Sequence, residues 1–443
     1  MGCLIAFAWP LCYVDKQVSI DYSSLGVVMV LDKGRSEEGL HNYSQEMAIH
    51  LTFPVLFTEN FTLDTARLLE IMGPNLDRVT RVLPIVDTGV EDCWPNLEQD
   101  IRSLETPGLE IFSPMMIPGG EACKNSTTYL SKIYETIADY GIDRHSYILC
   151  FGGGAVLDLV GYAAATAHRG IRLIRFPTTV LAQNDSGVGV KNGINFLKQK
   201  NFLGTFAPPY AVVCDRRFLE TLSKRDRIAG IAEAIKVALI KDRQFFEWLE
   251  EHSEDLSLLE DTATSYMVRK GAEHHMHHIA HCGDPFEQGN SRPLDFGHWS
   301  AHRLEVMTEN RLRHGEAVAI GMALDSYYSW RQGFIHYGEL DRIITTIRNI
   351  GLPIWDDALE WRDEIGDLKI LKGLEQFREH LGGRLSISLL KGIGSSFEVS
   401  EMDCECLAEG ITWLQEKNDL EEVEGASISL SQTTQPIVNQ LHP

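Results

Sequence analysis

The sequence has few basic residues relative to acidic ones. Its 443 residues include 40 Lys and Arg against 63 Asp and Glu, which gives a formal net charge of −23. A surface of this charge repels the phosphates of nucleic acids and of anionic membranes, so we expect neither as a partner. Any anionic ligand must therefore bind where positive charge is concentrated locally.

The nine cysteines form neither a disulfide pattern nor a zinc-binding pattern. They are scattered, no C-x-x-C occurs, and the one close pair is Cys404 and Cys406. This favours buried thiols in a reducing compartment. The opening run MGCLIAFAWPLCYVDK is apolar, but it is too short to span a bilayer and lacks the basic start of a signal peptide. We therefore expect a cytoplasmic protein, with a signal peptide as the alternative.

The chain has no visible repeat and is long enough for two domains with buried interiors. The tail is rich in Ser, Gln and Thr and lacks a periodic apolar pattern, so we expect it to be disordered. The predicted segments are an N-terminal extension (1–23), an α/β domain (24–215), a helical domain (216–415) and the tail (416–443).

Short apolar runs alternate with helix-like segments in the α/β domain. The runs are GVVMVLD, RVLPIVD, SYILCFGGG, IRLIRFPTT and YAVVCD, and the helix-like segments include NLEQDIRSL and STTYLSKIYETIADYG. Strands buried on both faces lose the polar alternation of half-exposed ones, so the pattern predicts a mainly parallel sheet. Beyond it the apolar periodicity is that of helices. A ligand is expected between the two domains.

The run FGGGAVLDLVGYAAAT joins a predicted strand to a predicted helix. Gly152, Gly153 and Gly154 let the backbone turn sharply and approach a ligand, and the helix N-terminus offers free N–H groups to a pyrophosphate. A tight turn without a ligand needs the same residues, and the spacing is not G-x-G-x-x-G. Both interpretations stay open at this motif.

A polar stretch, PTTVLAQNDSGVGVKNGINFLKQKNFLGTF, follows the next predicted strand. Lysines and asparagines are interleaved there although the chain is short of basic residues. Lys supplies point charges and Asn supplies a donor and an acceptor, which suits a phosphorylated polyol, although a solvated loop has the same composition. The polar residues are Thr178, Thr179, Asn184, Asp185, Lys191, Asn192, Asn195, Lys200 and Asn201.

Charged and histidine residues on apolar helices are candidates for a metal site. Glu233 lies in IAEAIKVALI, where an unpaired carboxylate is costly, so it requires a cation or a metal. Lys236, three residues on, offers a salt bridge as the alternative. His298 and His302 share a helix face at i,i+4, as in zinc-binding helices, and His314 opens another apolar helix.

The denser run HHMHHIAHC, His274 to Cys282, is interpreted differently. It lies on a periodic helix and has no carboxylate among its histidines. We therefore predict a solvated or packed helix face there rather than a metal site.

Taken together, these segments resemble the sugar phosphate cyclase superfamily, whose best-known member is 3-dehydroquinate synthase. The motifs GGE..K, GGG...D, RG, PTT, D....K, KN..G, AE..K, GH...H and HGEAVAIGM occur in the order typical of that superfamily. The likeness runs from about Val86 to Met322 and more weakly to about Glu398. It implies an N-terminal NAD-binding α/β domain with a mainly parallel sheet and a mostly α-helical, metal-binding C-terminal domain, with catalysis between them.

The resemblance also implies roles for individual residues. The residues implied for the NAD site are Asp87, Glu121, Lys124, Gly153, Gly154, Asp158, Thr178, Thr179 and Thr221. Those implied for zinc (or cobalt) are Glu233, His298 and His314. The implied catalytic residues are Asp185, Lys191, Lys236 and His302, and the implied substrate-binding residues are Arg169, Lys200, Asn201 and Asp295.

The chemistry implied by the resemblance is a cyclisation with loss of phosphate. In this superfamily a metal polarises a substrate hydroxyl and NAD removes a hydride from the adjacent carbon. Phosphate then leaves by β-elimination, the hydride returns, the ring opens, and an intramolecular aldol closes a carbocycle. NAD is recycled in every turnover.

Asp295 is the main departure from dehydroquinate synthases. Those enzymes have L-N-x-G-H before the first metal-binding histidine and an upstream arginine for the substrate carboxylate, whereas this chain has RPLDFGH with Arg292 out of register. An aspartate repels a carboxylate and accepts hydrogen bonds from hydroxyls. The DFGH form resembles cyclases of the valiolone synthase type, which act on sedoheptulose 7-phosphate, although WSAH keeps His302. His380 and Arg384 are the polar candidates near the last predicted strand.

These features predict a lyase that converts a C7 ketose phosphate, with sedoheptulose 7-phosphate favoured, to a cyclitol. The alternatives are 3-dehydroquinate synthase acting on DAHP in the shikimate pathway, a metal-dependent polyol dehydrogenase, and a non-catalytic relative that binds NAD or a sugar phosphate. A dehydrogenase needs no phosphate pocket, so Arg169, Lys200 and Asn201 weigh against it. By resemblance, a homodimer is expected.

Overall fold

The structure is a computed structural model, and its chain divides into two units, Met1–Pro54 and Val55–Pro443. The predicted domain boundaries at residues 215 and 415 fall inside the second unit and stay a prediction. The described residues are 3–4, 27–33, 43–49, 51–73, 78–197, 199–281, 293–380, 383 and 385–432.

The described strands of the first unit form an antiparallel sheet. β1 (Cys3–Leu4) pairs with β2 (Val27–Lys33), which pairs with β3 (Tyr43–Ile49). The run GVVMVLD was assigned from the sequence to the parallel sheet, and for these residues that prediction is wrong. The segment 34–42 that joins β2 to β3 is too short for a parallel crossover, which explains the antiparallel pairing.

The second unit begins with a parallel sheet. Seven of its described strands form one sheet in which every pair is parallel. Their spatial order is Val55–Thr58, Ala211–Asp215, Arg172–Pro177, Tyr147–Gly152, Thr80–Asp87 and Leu109–Ile111, and Met115–Ile117 also pairs with Thr80–Asp87. The predicted parallel α/β architecture is confirmed. The strands of this region are β4 (Val55–Thr58), β5 (Thr80–Asp87), β6 (Leu109–Ile111), β7 (Met115–Ile117), β8 (Tyr147–Gly152), β9 (Arg172–Pro177), β10 (Lys191–Phe196), β11 (Gln199–Phe206) and β12 (Ala211–Asp215).

Helices cover both faces of this sheet. Alternate residues of β8 show it, because Ile148 and Cys150 join one buried cluster while Leu149 and Phe151 join the other. Both faces are therefore apolar, as the uninterrupted apolar runs predict. The helices of this region are α1 (Thr65–Met72), α2 (Thr88–Cys93), α3 (Leu97–Arg102), α4 (Thr127–Asp139), α5 (Gly154–Thr166) and α6 (Val180–Asn184), with 3-10 turns at Glu121–Asn125, Ala167–Arg169 and Ser186–Val188.

Strands β10 and β11 form an antiparallel hairpin outside the sheet. The hairpin approaches α5 closely, because a Cβ added at Gly161 would lie 1.7 Å from Asn192 Oδ1. Only glycine allows this approach, and the hairpin thereby carries its lysines and asparagines to the carboxyl side of the sheet.

The chain beyond β12 is mainly helical, as predicted. Its large buried cluster centres on the helix His314–Arg331, where Ala317, Val318, Ala319 and Ile320 are fully buried. The helices are α7 (Arg217–Glu220), α8 (Lys224–Ala229), α9 (Ala232–Lys241), α10 (Arg243–Glu251), α11 (Ser253–Ser257), α12 (Asp261–His281), α13 (His298–Met307), α14 (His314–Arg331), α15 (Tyr337–Ile350), α16 (Lys372–His380) and α17 (Cys404–Gln432). Three 3-10 turns (Pro293–Asp295, Asp357–Glu360, Lys369–Leu371) and a hairpin of β13 (Ile387–Gly392) with β14 (Ser395–Val399) complete this part.

The C-terminal segment differs from its prediction. Helix α17 extends to Gln432, so the tail expected from residue 416 to be disordered is helical as far as that residue. The first part of the tail, EKNDLEEVE, contains Glu, Leu and Lys, which favour helices, and this explains the continuation. Residues 433–443 lie outside the described part.

Two further properties follow from the described residues. Cys123, Cys150, Cys214 and Cys406 are buried free thiols, whereas Cys93 and Cys404 are exposed. No described helix is both long enough and apolar enough to cross a membrane.

Candidate active site

Glu233 is a buried carboxylate in the first turn of α9. Every residue from Ala232 to Ile240 is buried, and Glu233 is 2% exposed. Lys236 lies one turn further on, and its Nζ forms an ion pair with Glu233 Oε2. The salt bridge that the sequence offered as an alternative is therefore present. It engages one carboxylate oxygen and leaves Oε1 for other partners.

His298 begins α13 and places Nε2 3.6 Å from Glu233 Oε1. Its Nδ1 lies 3.1 Å from the carbonyl oxygen of Phe296, so we assign the ring proton to Nδ1, which donates to that oxygen. Nε2 then carries the lone pair that a metal requires. Burial and the charge of Lys236 hold the pKa of His298 well below its ordinary value, which keeps the ring neutral.

His314 begins α14 and meets the same carboxylate. Its Nε2 lies 3.3 Å from Glu233 Oε1, and its Nδ1 lies 3.3 Å from Glu305 Oε2. One ligand atom from each of Glu233, His298 and His314 lies within 4.8 Å of the others. The structure thus brings together the three residues that the resemblance implies for the metal.

These three side chains fit a divalent metal. Among the described residues, neither carboxylate oxygen of Glu233 has a hydrogen bond of acceptable geometry, although both are buried. Burial raises the pKa of Glu233, but Lys236 and His314 more than offset this effect and lower it to about 2. A buried carboxylate beside two imidazoles is a donor set that suits zinc, and three protein ligands are typical of a catalytic zinc site.

Glu305 is a site residue that the sequence analysis missed. It is buried on α13, and its Oε1 accepts a hydrogen bond of 2.9 Å from Lys200 Nζ. Burial raises the pKa of Glu305, but His314 and then Lys200 lower it below the ordinary value. The spacing of His298, His302 and Glu305 at i, i+4 and i+7 is the signal that could have found it.

His302 lies on the same face of α13. Its ring centroid is 5.3 Å from that of His298 and 6.1 Å from that of His314. His302, Glu305 and His314 also have ligand atoms within 4.8 Å of one another. Glu305 is paired with Lys200 just as Glu233 is with Lys236, but the resemblance implies a metal ligand only for Glu233. We therefore treat Glu305 as a partner of the site and not as a ligand.

Burial lowers the pKa of His314, yet Glu305 and Glu233 raise it to about 9.

Lys124 links the β10–β11 hairpin to the implied cofactor side. Its buried Nζ donates to Asp158 Oδ2 at 2.8 Å and to Asn201 Oδ1. Asn195 Nδ2 donates to Glu121 Oε1 at 2.9 Å. Burial lowers the pKa of Lys124, but the charge of Asp158 and then that of Glu121 raise it above the ordinary value. Lys124 and Glu121, two residues implied for NAD, thus contact the hairpin that carries the implied phosphate-binding residues, and Asp158 joins them through Lys124.

Asp87 ends β5 at the carboxyl edge of the sheet. Its Oδ1 accepts a hydrogen bond of 2.9 Å from the Gly89 N–H and caps α2. A Cβ at Gly119 would lie 2.4 Å from Asp87 Oδ2, so the carboxylate occupies the space above the turn that leads to Glu121. Burial raises the pKa of Asp87. This is the edge where parallel sheets bind dinucleotides.

The glycine turn lies beside the PTT motif at this edge. The Thr178 N–H donates to the Gly152 carbonyl at 3.0 Å. A Cβ at Gly153 would lie 3.1 Å from Thr179 Cγ2, and one at Gly154 would lie 2.8 Å from Ser186 Oγ. Packing therefore favours glycine at these positions, because a side chain there would displace Thr179 or Ser186. Helix α5 begins here, and its first N–H groups suit a pyrophosphate.

Asp185 contacts a histidine of the run on α12. His275 Nδ1 lies 2.8 Å from Asp185 Oδ1, and the neighbouring His274 has its Nε2 2.9 Å from Asp242 Oδ2. Burial raises the pKa of Asp185, but His275 more than offsets it and the pKa is lowered. The sequence analysis missed the contact of His275, because its partner is distant in the chain.

Arg175 is a second buried residue that the sequence analysis missed. Its Nη1 donates to the carbonyl oxygens of Gly187 and Gly189 at 3.0 and 2.8 Å, and its Nη2 donates to Asn192 Oδ1 at 2.6 Å. The fully buried guanidinium therefore shapes the loop between Asp185 and β10. Lys191, exposed at the start of β10, is placed by this loop.

Asp295 ends the 3-10 turn before α13. It is half-buried, and its charge reaches Lys236. Burial lowers the pKa of Lys236, but Glu233, Asp185 and, more weakly, Asp295 raise it above the ordinary value. Asp295 therefore adds negative charge beside the cluster, and its implied function in substrate binding stays a prediction.

Two residues with implied roles lie apart from these contacts. Arg169 follows α5 at the amino edge of the sheet and lines a different cavity with Asp143, Arg144 and His168. Thr221 is exposed, and its hydroxyl donates to the Phe218 carbonyl at 3.1 Å. The roles of these two residues stay predictions. Arg292, Arg384 and the side chain of His380 lie outside the described residues.

The chain matches two protein-family models. 3-Dehydroquinate synthase N-terminal matches residues 114–229, and 3-dehydroquinate synthase C-terminal matches residues 230–370. A 3-dehydroquinate synthase of Acidithiobacillus ferrooxidans is 35% identical over 323 residues, which cover 72% of this chain and 85% of the relative.

Solved structures of cyclases share the fold. A 2-epi-5-epi-valiolone synthase from Streptomyces hygroscopicus subsp. jinggangensis 5008, with NAD+ and Zn2+ bound, superposes with a TM-score of 0.73 at 27% identity, covering 83% of this chain and 98% of that one. A 2-deoxy-scyllo-inosose synthase complexed with carbaglucose-6-phosphate, NAD+ and Co2+ has a TM-score of 0.65 at 23% identity, covering 80% and 92%. The second likeness shows the fold alone.

The fold and these matches define an enzyme of the dehydroquinate synthase-like class. The chain belongs to the sugar phosphate cyclase superfamily, as its motifs predict.

Proposed function

We propose that the protein is an NAD- and metal-dependent carbon–oxygen lyase that converts sedoheptulose 7-phosphate, a C7 ketose phosphate, to a cyclitol with loss of phosphate. The observation that carries the proposal is the convergence of Glu233, His298 and His314 within 4.8 Å beside the buried cation Lys236. The cluster supports metal chemistry, and the nearby lysines support a phosphorylated substrate.

Glu233, His298 and His314 would hold zinc or cobalt, and the carboxyl edge of the sheet would hold NAD. The ion, when bound, supplies a Lewis acid for a substrate hydroxyl, and NAD supplies a hydride acceptor. Both cofactors occur in the valiolone synthase with which this chain superposes. The NAD contacts are proposed for Asp87, Glu121, Lys124, Gly153, Gly154, Asp158, Thr178, Thr179 and Thr221.

Lys191, Lys200 and Asn201 are proposed to bind the phosphate and hydroxyls of the substrate. Lys200 lies 2.9 Å from Glu305, which also contacts His314, so the hairpin that carries Lys200 lies beside the cluster and supports this proposal. Local positive charge on a chain of net charge −23 is what a phosphate site requires. Arg169 is proposed as a further substrate-binding residue from the resemblance alone.

Proton transfers are proposed for side chains around the cluster. An ammonium has three N–H donors, so the ion pair of Lys236 with Glu233 leaves donors for a substrate oxygen. His302 shares a helix face with the proposed ligand His298 and can accept or donate the proton of a hydroxyl. Asp185 is kept ionised by His275 and can accept a hydrogen bond from another hydroxyl.

Asp295 supports the sugar rather than the acid as substrate. Its carboxylate lies near enough to Lys236 to affect its pKa, so it occupies the proposed substrate region with a negative charge. Such a charge repels the carboxylate of DAHP and accepts hydrogen bonds from sugar hydroxyls. The 35% identity with a 3-dehydroquinate synthase keeps turnover of DAHP as the alternative.

The test offers both substrates to the purified enzyme with NAD and zinc and measures phosphate release, with product masses. Turnover of sedoheptulose 7-phosphate alone is the expected result. Turnover of DAHP alone would show that the substrate assignment is wrong. Accumulation of NADH from polyols without phosphate release would identify a polyol dehydrogenase.

A pair of variants tests the metal ligands. Glu233→Ala should lose bound zinc and activity, whereas the matched control Glu247→Ala, an exposed glutamate on α10, should keep both. Stoichiometric zinc in Glu233→Ala would contradict the proposed site.

A homodimer and a cytoplasmic location are also proposed, from the resemblance and the cysteine pattern. The exposed Phe196, Phe202 and Phe206 of the β10–β11 hairpin support a protein partner. Light scattering during gel filtration measures the mass, and a monomer at micromolar concentration would contradict the dimer. No binding to DNA is expected at physiological salt.

A further inference from the structure

Asp325 is a fully buried carboxyl group in the middle of α14. Its Oδ2 accepts a hydrogen bond of 3.0 Å from the Gly297 N–H, and its Oδ1 accepts one of 2.8 Å from Trp299 Nε1. These donors belong to the residues immediately before and after His298. A side chain of the helix that begins with His314 therefore holds both sides of the other histidine of the cluster.

Burial of this carboxyl group is costly. Among the described residues no Lys or Arg forms an ion pair with Asp325, and burial raises its pKa to about 7, although the two hydrogen bonds act in the opposite direction. An apolar side chain would avoid this cost in a helix packed on all sides. The two directional hydrogen bonds are what an apolar side chain cannot supply.

The two helices cross too closely at this point for the packing to adjust freely. Gly297 has φ +77, and a Cβ there would lie 2.7 Å from the backbone nitrogen of Met322. A Cβ at Gly321 would lie 2.0 Å from the Gly297 carbonyl oxygen. The first turn of α13 thus lies directly against the backbone of α14, and Asp325 sets its orientation.

This orientation decides where the ring of His298 is directed. The Phe296 carbonyl oxygen accepts the hydrogen bond of His298 Nδ1, and Asp325 holds Gly297 and Trp299 on either side. His298 Nε2 is therefore directed toward Glu233 Oε1. A carboxylate that orients a metal ligand through its neighbours acts in the same way as other groups behind the ligands of metal sites.

We propose that Asp325 is a positioning residue for the metal ligand His298, which it orients by holding the backbone at Gly297 and the indole of Trp299. The proposal rests on the proposed metal site. It assigns to Asp325 a function in metal affinity and not merely in stability.

The test measures zinc affinity by competition with a chromogenic chelator, in metal-depleted protein reloaded with zinc. Asp325→Ala should raise the zinc dissociation constant roughly 10–100-fold, the range found when such supporting groups are removed. Asp325→Asn keeps one acceptor and should fall between Asp325→Ala and the wild type. The matched control is Ser326→Ala on the same helix. It removes a fully buried hydroxyl that forms no hydrogen bond with any described residue, and it should leave the constant unchanged.

A second variant guards against misfolding of Asp325→Ala. Trp299→Phe keeps an aromatic ring but removes one donor to Asp325, and it should weaken zinc binding less than the loss of both. Circular dichroism and the melting temperature of the metal-free proteins report the fold independently of the metal.

The outcomes separate this proposal from the proposed function. If Glu233→Ala loses zinc but folded Asp325→Ala binds zinc as tightly as wild type, positioning is refuted and the metal site stands. If Asp325→Ala does not fold, wild-type zinc affinity in both Asp325→Asn and Trp299→Phe has the same meaning. If Ser326→Ala weakens zinc binding as much as Asp325→Ala, general packing explains the effect and positioning is again refuted. If Glu233→Ala keeps zinc, both proposals fail.

Discussion

Replacement of Lys236 by methionine tests the charge balance of the buried cluster. Lys236 and Glu233 are 3% and 2% exposed and form an ion pair, so Lys236→Met keeps most of the side-chain volume and leaves a buried carboxylate without its ammonium. Removing one partner of a buried pair costs about 3–5 kcal/mol. For the metal-free enzyme, a chain of 443 residues, this corresponds to a fall in melting temperature of about 3–5 °C.

The assay compares melting temperatures of wild type, Lys236→Met and the control Lys224→Met, which changes an exposed lysine on α8. Zinc supplies positive charge to Glu233, so zinc should restore much of the stability that Lys236→Met loses. The sign of the pH dependence follows from the lowered pKa of Glu233. In the wild type the ionised carboxylate of Glu233 stabilises the folded protein at pH values above the ordinary pKa of glutamate. That stability is lost only as the pH falls toward about 2.

In Lys236→Met the pKa of Glu233 should rise, because the ammonium group of Lys236 no longer offsets the effect of burial on that pKa. A proton can neutralise the carboxylate in mild acid, so the destabilisation should be larger at neutral pH than at acidic pH. A metal-free variant that melts with wild type would refute the buried ion pair as a source of stability. An equal loss with and without zinc would refute the idea that both cations neutralise the same carboxylate.

Three other substitutions have expected outcomes. Asp295→Asn should raise the ratio of DAHP to sedoheptulose 7-phosphate turnover at least several-fold, because it removes a charge that repels the carboxylate; an unchanged ratio in parallel assays would contradict this. Gly154→Ala should weaken NAD binding several-fold in calorimetry, because its Cβ would lie 2.8 Å from Ser186 Oγ and would displace that side chain at the proposed pyrophosphate site; wild-type affinity would count against the glycine turn. Burial raises the pKa of Asp325 to about 7, above the pKa of an aspartate in the unfolded chain. The metal-free protein should therefore lose stability as the pH rises from that unfolded-state pKa toward 7, and the melting temperature of Asp325→Asn should depend less on pH over that interval.

The parallel sheet could be predicted from the sequence because its signal is local. Strands such as β8 and β9 are apolar without alternation, and this pattern requires only that both faces be covered. The run that became β2 has the same composition, yet it pairs antiparallel. The composition of a strand does not determine the strand with which it pairs. Here the short connection to β3 determined the antiparallel pairing.

The proposed metal ligands could be found from the sequence because each is unusual in its own helix. Glu233 interrupts an apolar helix, His298 and His302 repeat at i,i+4, and His314 opens an apolar segment. The resemblance to sugar phosphate cyclases then selected these residues from among the 16 histidines and 63 acidic residues of the chain.

Residues that act through partners distant in the chain could not be found in this way. Asp185 and His275, Lys200 and Glu305, and Asp325 and Trp299 meet only when separate helices and strands pack. A buried acid such as Asp325 has an ordinary sequence context.

The sequence alone determined which segments become apolar strands and helices and which polar residues interrupt them, because these properties depend on neighbours within a few residues. Only the tertiary structure decided which charges share the buried cluster and which oxygen of Glu233 meets Lys236 and which meets the histidines. It also placed Arg169 at the other edge of the sheet. Ion pairs and metal sites depend on distances of a few ångströms between residues far apart in the chain, and packing alone sets those distances.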